Sequence, residues 1–204
     1  PEAWSRGDTV RVRIEVEALG DMGWVVVSDP VPTGATLLGS GGLGRIGPGV
    51  ARRAAGFDMT VAYHSRRPVP GVPWRHEPEL CALARDSDFL VVITAGGADT
   101  QHLINADVLA ALGPRGFLIN VARGSVVDEA ALIDALHAGR IAGAGLDVFE
   151  GEPHISAALR AAPHTVLLPH IASATEETRQ AMAERVIENL DAYFSDGRLL
   201  SPVV

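Results

Sequence analysis

Gly42, Gly44 and Gly47 stand at G-x-G-x-x-G spacing in the stretch GLGRIG. Chemistry explains that spacing: one glycine allows a tight bend, one admits a pyrophosphate close to the backbone, and one lets a helix pack on a strand. Further on, positions 64–67 read HSRR. A site for NAD usually places Asp or Glu about 20 residues past the glycines, to hold the ribose 2′-hydroxyl. No acid stands there. Ser65, Arg66 and Arg67 instead offer a hydroxyl and two guanidinium groups, which suit a 2′-phosphate. These residues predict NADP in preference to NAD; the alternative is a solvated surface pair of arginines.

Such a turn works only between a strand and a helix, and the residues after Gly42 supply that context. RIGPGVARRAAGF reads as a short helix, with Pro48 in its first turn, where a missing N–H costs little. Strands are expected at 59–65, 88–94, 116–122, 141–148 and 165–169, alternating with helices at 78–87, 105–112 and 128–139. A long helix from Ala174 to Phe194 follows, with Met182, Val186, Leu190, Tyr193 and Phe194 on one face. Ser173 and Glu176 make a capping-box signature at its start. Near-continuous apolar strands alternating with helices imply an α/β fold, a doubly wound parallel sheet covered on both faces. Ligands of such sheets gather at the carboxyl ends of the strands.

Composition narrows the classes. The chain has 204 residues, 47% hydrophobic and 21% charged, enough for one large domain or a domain with an appendage. Its net charge of -8, with no basic stripe, argues against nucleic acid as a partner. An acidic chain still binds a nucleotide when backbone N–H groups hold the phosphate. All 17 basic residues are Arg, which removes Lys as a Schiff-base nucleophile or catalytic base. Cys81 is the lone cysteine, so no internal disulfide or cysteine-based zinc site is available, and it reads as core filling. No apolar run approaches the ~20 residues of a membrane span. The first residues lack an apolar signal run and an initiator Met, so the expectation is a cytoplasmic protein with a segment missing upstream.

From Gly42 onward the chain resembles the nucleotide-binding domain of the D-isomer-specific 2-hydroxyacid dehydrogenases. The resemblance is carried by GLGRIG, HSRR, ITAGGADTQHLIN, LINVARGSVVDEAAL, GAGLDVFEGEP and LLPHIASATEET, in order and over roughly 160 residues. HSRR is similar to the glyoxylate/hydroxypyruvate and 2-ketoaldonate reductase branch, which tends to use NADPH. The resemblance implies a Rossmann-like fold that reduces a small 2-keto acid by hydride transfer from NADP or NAD. It also implies roles. Arg123 would grip the substrate carboxylate and carbonyl, His170 would protonate the carbonyl oxygen, and Glu152 would orient the imidazole and support its charge. Asp147 would hold the nicotinamide carboxamide, and Arg45, Ile46 and Thr100 would join the glycines, Ser65, Arg66 and Arg67 around the cofactor. The remaining histidines, His64, His76, His102, His137, His154 and His164, show no metal-ligand spacing. Glu150, Glu152 and His154 are better explained by the role of Glu152 than by a metal, and none is expected. Dimers of this family form largely through the nucleotide domain, which leaves a homodimer open.

The front of the chain reads differently. TVRVRIEVEAL alternates apolar and charged residues, LGDMG is a turn and WVVVSD a second strand, so residues 1–41 are expected to form a β-hairpin appendage and connector. This segment resembles part of a bacterial alpha-2-macroglobulin, which places a join near Gly41 to Arg45 and implies a chimera: a natural fusion, a laboratory recombinant or an assembly error. Residues 42–204 then form the NAD(P)-binding domain, with its substrate domain mostly absent. The join costs the first strand of the sheet, because Leu38 to Gly44 puts Gly and Ser where buried aliphatics belong. Each lost aliphatic costs on the order of 2–5 kcal/mol, against a usual net stability of ~5–15 kcal/mol. Ala35 to Leu38 could shift in as a poor substitute. Three readings follow: a working reductase, an NADP(H)-binding module with little turnover, and a β-domain fragment with an inert tail.

Overall fold

A computed structural model describes residues 46–201 in full and, for Gly23–Val27, the backbone path. The strands are β1 (Gly23–Val27), β2 (Thr60–His64), β3 (Arg75–His76), β4 (Phe89–Val92), β5 (Phe117–Asn120), β6 (Gly143–Leu146) and β7 (Thr165–Leu167). The helices are α1 (Ile46–Ala55), α2 (Leu80–Arg85), α3 (Ala106–Leu112), α4 (Glu129–His137), α5 (Ala157–Ala161) and α6 (Glu176–Asp196). The strands form one 7-stranded sheet in the order β3-β2-β1-β4-β5-β6-β7, and every pairing is parallel. That is the doubly wound Rossmann-like arrangement the sequence implies. The order reverses direction between β1 and β4, and the crevice outside the strand ends at that point is where such sheets hold ligands.

One expectation is corrected. The strand beginning at Trp24 is not the second arm of a hairpin. β1 pairs with β2 on one side, Val25 opposite Ala62, and with β4 on the other, Val25 opposite Leu90. Both its edges are taken, so it has no free edge for an antiparallel partner. The sequence GWVVV accounts for the choice: three successive β-branched valines suit a strand covered on both faces, whereas the Gly- and Ser-rich stretch at 38–44 does not. The expected partner strand at Val10–Ala18, the stretch Ala35 to Gly44, and Gly42, Gly44 and Arg45 all lie outside the described residues.

The main core fills the space between the sheet and α2 to α5, where Leu83, Leu90, Ile104, Leu118 and Leu159 are all 0% exposed. A second cluster joins α1 to β2 through Ala51, Ala54 and Val61, flanked by Val50, Met59, Trp74 and Ile93. Small residues let this helix lie close to the sheet: its buried positions are Gly47, Gly49, Ala51 and Ala54. β3 and α5 carry too few residues to show a periodic pattern and were not expected. Ser156 caps α5 by accepting from the Leu159 N–H.

The long helix starts two residues later than its sequence suggests. Thr175, not Ser173, is the N-cap: its hydroxyl accepts from the Thr178 N–H at 3.2 Å. None of the residues of α6 is buried. Its expected apolar face is open among the described residues, with Leu190 at 50% and Phe194 at 81% exposure. After the helix, the N–H groups of Leu200 and Ser201 both donate to the Asn189 side chain, and Leu199 is exposed; Val203 lies outside the described residues. No described helix is long and apolar enough to cross a membrane.

The central position of β1 is testable. Val26→Pro removes a ladder N–H from a strand with partners on both sides and leaves a carbonyl opposite unsatisfied, a loss of about 1–3 kcal/mol or more. Urea unfolding should show a clearly lowered midpoint, and an unchanged midpoint would place this strand outside the sheet.

Candidate active site

The residues singled out in the sequence follow the carboxyl ends of successive strands. Ser65, Arg66 and Arg67 follow β2, Thr100 follows β4, Arg123 follows β5, Asp147 follows β6 and His170 follows β7. Ile46 and Gly47 open α1, with Ile46 exposed and Gly47 buried. A parallel sheet therefore delivers them to one edge, although they come from distant parts of the chain.

At the β5 end, Asn120 is 1% exposed and shapes the turn that follows. Its side-chain oxygen accepts from the Ala122 N–H, and its NH2 donates to the Arg123 carbonyl. Arg123 then caps a single 3-10 turn, Gly124–Val126. Two glycines make room for it. A Cβ on Gly96 would come within 2.8 Å of Arg123 Cγ, so the loop after β4 lies directly on the arginine stem. A Cβ on Gly124 would overlap the Phe149 carbonyl and the Glu150 nitrogen, so only glycine lets the Arg123 turn lie against the loop after β6. Arg123 is an exposed residue, and its guanidinium donates to the Ala122 carbonyl.

The loop after β7 is held by Asp147. This carboxylate is 3% exposed, and its two oxygens accept from the N–H groups of Ile171 and Ala172 at 2.8 Å each. The Asp147 carbonyl also accepts from the His170 N–H at 2.9 Å. These contacts hold His170 in the left-handed region, at φ 55, a conformation that non-glycine residues seldom adopt and that concentrates at functional sites. His170 Nδ1 lies 2.7 Å from Glu152 Oε2, while Glu152 Oε1 accepts from the Phe149 N–H at 2.9 Å. Partial burial works against charge on Glu152. The hydrogen bonds from His170 and Phe149 and the charges of His170 and Arg123 outweigh it, and they hold the carboxyl below its usual range. Arg123, Glu152 and His170 are thus brought together, with the imidazole exposed on its other side.

The other end of the edge is an open pocket of about 380 Å³, counting the space continuous with solvent, lined by His64, Ser65, Arg66, Thr94, Asp99, Thr100 and Leu103. Its wall at the β2 end is tied down: Ser65 donates to the Arg67 carbonyl, His76 Nε2 lies 3.0 Å from the Ser65 carbonyl, and His64 Nδ1 lies 3.0 Å from the Glu77 carbonyl. The Ser65 hydroxyl hydrogen is therefore committed to shaping the turn, and Arg66 is the cation on the pocket lining; Arg67 is exposed beyond it. Thr100 donates to the Ala95 carbonyl and shapes the opposite wall, where Asp99 adds an acid. The Thr94 hydroxyl is buried, lines this pocket and has no hydrogen-bond partner among the described residues. A polar ligand rich in donors and acceptors, such as the adenosine end of a dinucleotide, fits a wall with an arginine and an unmatched hydroxyl. Among the described residues, no group of three or more His, Cys, Asp or Glu is placed to hold a metal ion.

The family described as D-isomer specific 2-hydroxyacid dehydrogenase, NAD binding domain, matches residues 32–172. The chain belongs to that family. Among curated dehydrogenases and reductases it is 49% identical over 181 residues to 2-ketogluconate reductase of Gluconobacter oxydans, covering 87% of this chain and 58% of the relative. Glyoxylate/hydroxypyruvate reductase A of Arabidopsis thaliana is 48% identical over 163 residues, covering 80% of this chain and 52% of the relative. The NADPH-dependent glyoxylate/hydroxypyruvate reductase of Sinorhizobium meliloti, solved with NADP and malonate, superposes with a TM-score of 0.81 at 48% identity, covering 92% of this chain and 54% of that one. The chain spans little more than half the length of these relatives. The matched family span begins upstream of the boundary drawn at Gly42.

The sequence pointed to Arg123, Glu152 and His170 through family motifs, but it gave no sign of Thr94, Gly96 or the clamp that Asp147 makes. These depend on backbone approaches between loops far apart in the chain. The depressed ionisation of Glu152 makes a test. Such a carboxylate contributes stability above the ordinary carboxylate range, and that contribution disappears as pH falls through its lowered value. The stability gap between the native chain and Glu152→Gln should therefore be widest near neutral pH and close with acidification. A gap that does not vary with pH in thermal melts would contradict the pairing.

Proposed function

We propose that this chain is the cofactor-binding and proton-donating part of an NADPH-linked reductase of small 2-keto acids, of the glyoxylate or hydroxypyruvate kind. The observation that carries the reading is the Glu152–His170 pair, set beside Arg123 at the carboxyl edge of the sheet. The relatives named glyoxylate/hydroxypyruvate reductase support the substrate class, and the NADP-bound relative supports the cofactor.

When bound, the reduced nicotinamide supplies a hydride to the keto carbon. Gly42, Gly44, Arg45, Ile46 and Gly47 would hold the pyrophosphate, and Arg66 and Arg67 the 2′-phosphate, with Arg66 as the charged contact, while the Ser65 hydroxyl, committed to the Arg67 carbonyl, shapes the turn that carries them. Thr100 shapes the pocket wall, and Asp147, buried with both carboxylate oxygens taken by the Ile171 and Ala172 N–H groups, holds the loop that carries His170 in place of the carboxamide contact the resemblance implies. Arg123 turns from the Ala122 carbonyl to the substrate, binding its carboxylate and polarising its carbonyl. Glu152 holds a proton on His170 Nδ1 and so fixes the ring orientation, leaving Nε2 as the nitrogen that faces outward. Nε2–H passes its proton to the carbonyl oxygen as negative charge develops there, and the product is the 2-hydroxy acid.

Two substitutions separate the parts. A charge-assisted hydrogen bond is worth about 1.5–3 kcal/mol, so Arg66→Ala should weaken NADPH roughly 10- to 100-fold in equilibrium titration while changing NADH little. Equal losses for both would sink the 2′-phosphate assignment. His170→Ala should abolish keto-acid reduction, a loss of about 10²–10⁴-fold, with cofactor affinity nearly intact. Retained turnover would remove His170 from the role of acid.

A further inference from the structure

His102 lies in the loop between β4 and α3, outside the groups that the proposed reaction uses, yet it touches both loops that carry them. Its backbone is held at φ 50, in the left-handed region. From there its N–H donates to the Ser125 carbonyl at 2.8 Å, in the turn that Arg123 opens. The next contacts continue the seam: Ile104 N–H donates to the Val126 carbonyl, and Asp128 N–H donates to the Ile104 carbonyl, both at 3.0 Å. The His102 ring faces the other way. Its Nε2 lies 2.7 Å from Glu150 Oε1, two residues before Glu152.

At its start the Phe149–Glu152 loop is anchored by the Phe149 side chain, 6% exposed in the main core. Glu129, in the first turn of α4, accepts from the Glu150 N–H at 3.2 Å and from the Ser156 hydroxyl at 2.8 Å. Gly124 lets the loop press on the Arg123 turn. Within the loop, Glu152 is the link between the Phe149 N–H and His170. With Phe149 held by the core, a slip of the segment from Glu150 to Glu152 would draw the Glu152 carboxylate away from both the Phe149 N–H and His170.

We propose that His102 is a positioning residue, pinning the Phe149–Glu152 loop against the Arg123 turn and so holding Glu152 in line with His170. The proposal rests on the reading of Glu152 and His170 as a working pair. The charged groups around the imidazole are Glu150, its direct partner, Asp128, and Glu129 behind the Glu150 backbone. The Glu150 hydrogen bond, opposed by desolvation and helped by the charges of Glu150 and Asp128, raises the pKa of His102 above its ordinary value, so the ion pair persists to higher pH. An exposed pair of this kind adds little to global stability, so its effect belongs to the position of the loop.

The Phe149 amide resonance in the ¹⁵N-labelled full chain at neutral pH reads that position, because this N–H donates to Glu152. Glu152→Ala provides the reference displacement of a lost contact. His102→Ala is expected to move the Phe149 signal at least half-way along that displacement. His102→Gln, whose amide can still reach Glu150 without carrying charge, is expected to restore it, which separates geometry from charge. If His102→Ala does not fold, Glu150→Gln replaces it and should move the signal in the same direction. A Phe149 signal unmoved in a folded His102→Ala or Glu150→Gln chain, while Glu152→Ala moves it, overturns the proposal. A signal unmoved by Glu152→Ala itself sinks the Glu152 geometry, and the proposal falls with it. The readout needs no turnover, so a chain without reductase activity leaves the test intact.

Discussion

The buried carboxylate of Asp147 governs the geometry of the site. Sitting just past β6, it receives the N–H groups of Ile171 and Ala172 from the loop past β7, and its carbonyl receives that of His170. A buried carboxylate without such partners would be costly, so the loop has one strongly preferred position. That position places His170 in an unusual backbone conformation and within hydrogen-bond distance of Glu152. Glu152 in turn depends on the loop that Gly124 admits against the Arg123 turn. Parallel register brings the strand ends to one edge, and the contacts of Asp147 convert that rough neighbourhood into a defined arrangement of acid, base and cation.

The same division runs through what the sequence revealed. Strands such as FLVV and FLIN announce themselves, because a strand covered on both faces must be apolar almost throughout. Helices α3 and α4 carry clear caps in Asn105 and Asp128 and were legible within a residue or two. The sequence leaves β1 ambiguous for a physical reason: WVVV fits a hairpin arm as well as a central strand, and the choice depends on which sheet has a vacancy. The capping threonine of α6 was hidden by Ser173, which offers the same chemistry two residues earlier. Arg123, Glu152 and His170 stand in distinctive local motifs, which is why the sequence singles them out. The contacts of His102, Gly96 and Gly124 join segments far apart in the chain, and no local pattern encodes them.

The edge has two functional ends with different physics. At the Glu152–His170 end, interactions are short, directional and partly exposed, which fits the proton donor proposed there. At the Ser65–Arg66 end, backbone carbonyls and two histidine rings hold the wall while one arginine and one unmatched threonine face the pocket. An acid on the same rim, Asp99, means that recognition of a phosphate depends on the arginine outweighing it. In the proposed reading, specificity and chemistry fall to separate loops of one sheet, and the loop after β4, which holds Thr100, Gly96 and His102, lies between them.

Equilibrium titration of the folded chain with NADPH and with NADH, followed by tryptophan fluorescence, tests the central claim most directly. The chain's tryptophans include Trp24 on β1 and Trp74 beside α1. Saturable binding, tighter for NADPH than for NADH by about tenfold or more, is the result that a sheet completed by Gly23–Val27 and a 2′-phosphate contact at Arg66 predicts. Absence of binding to either nucleotide by a folded sample would contradict it.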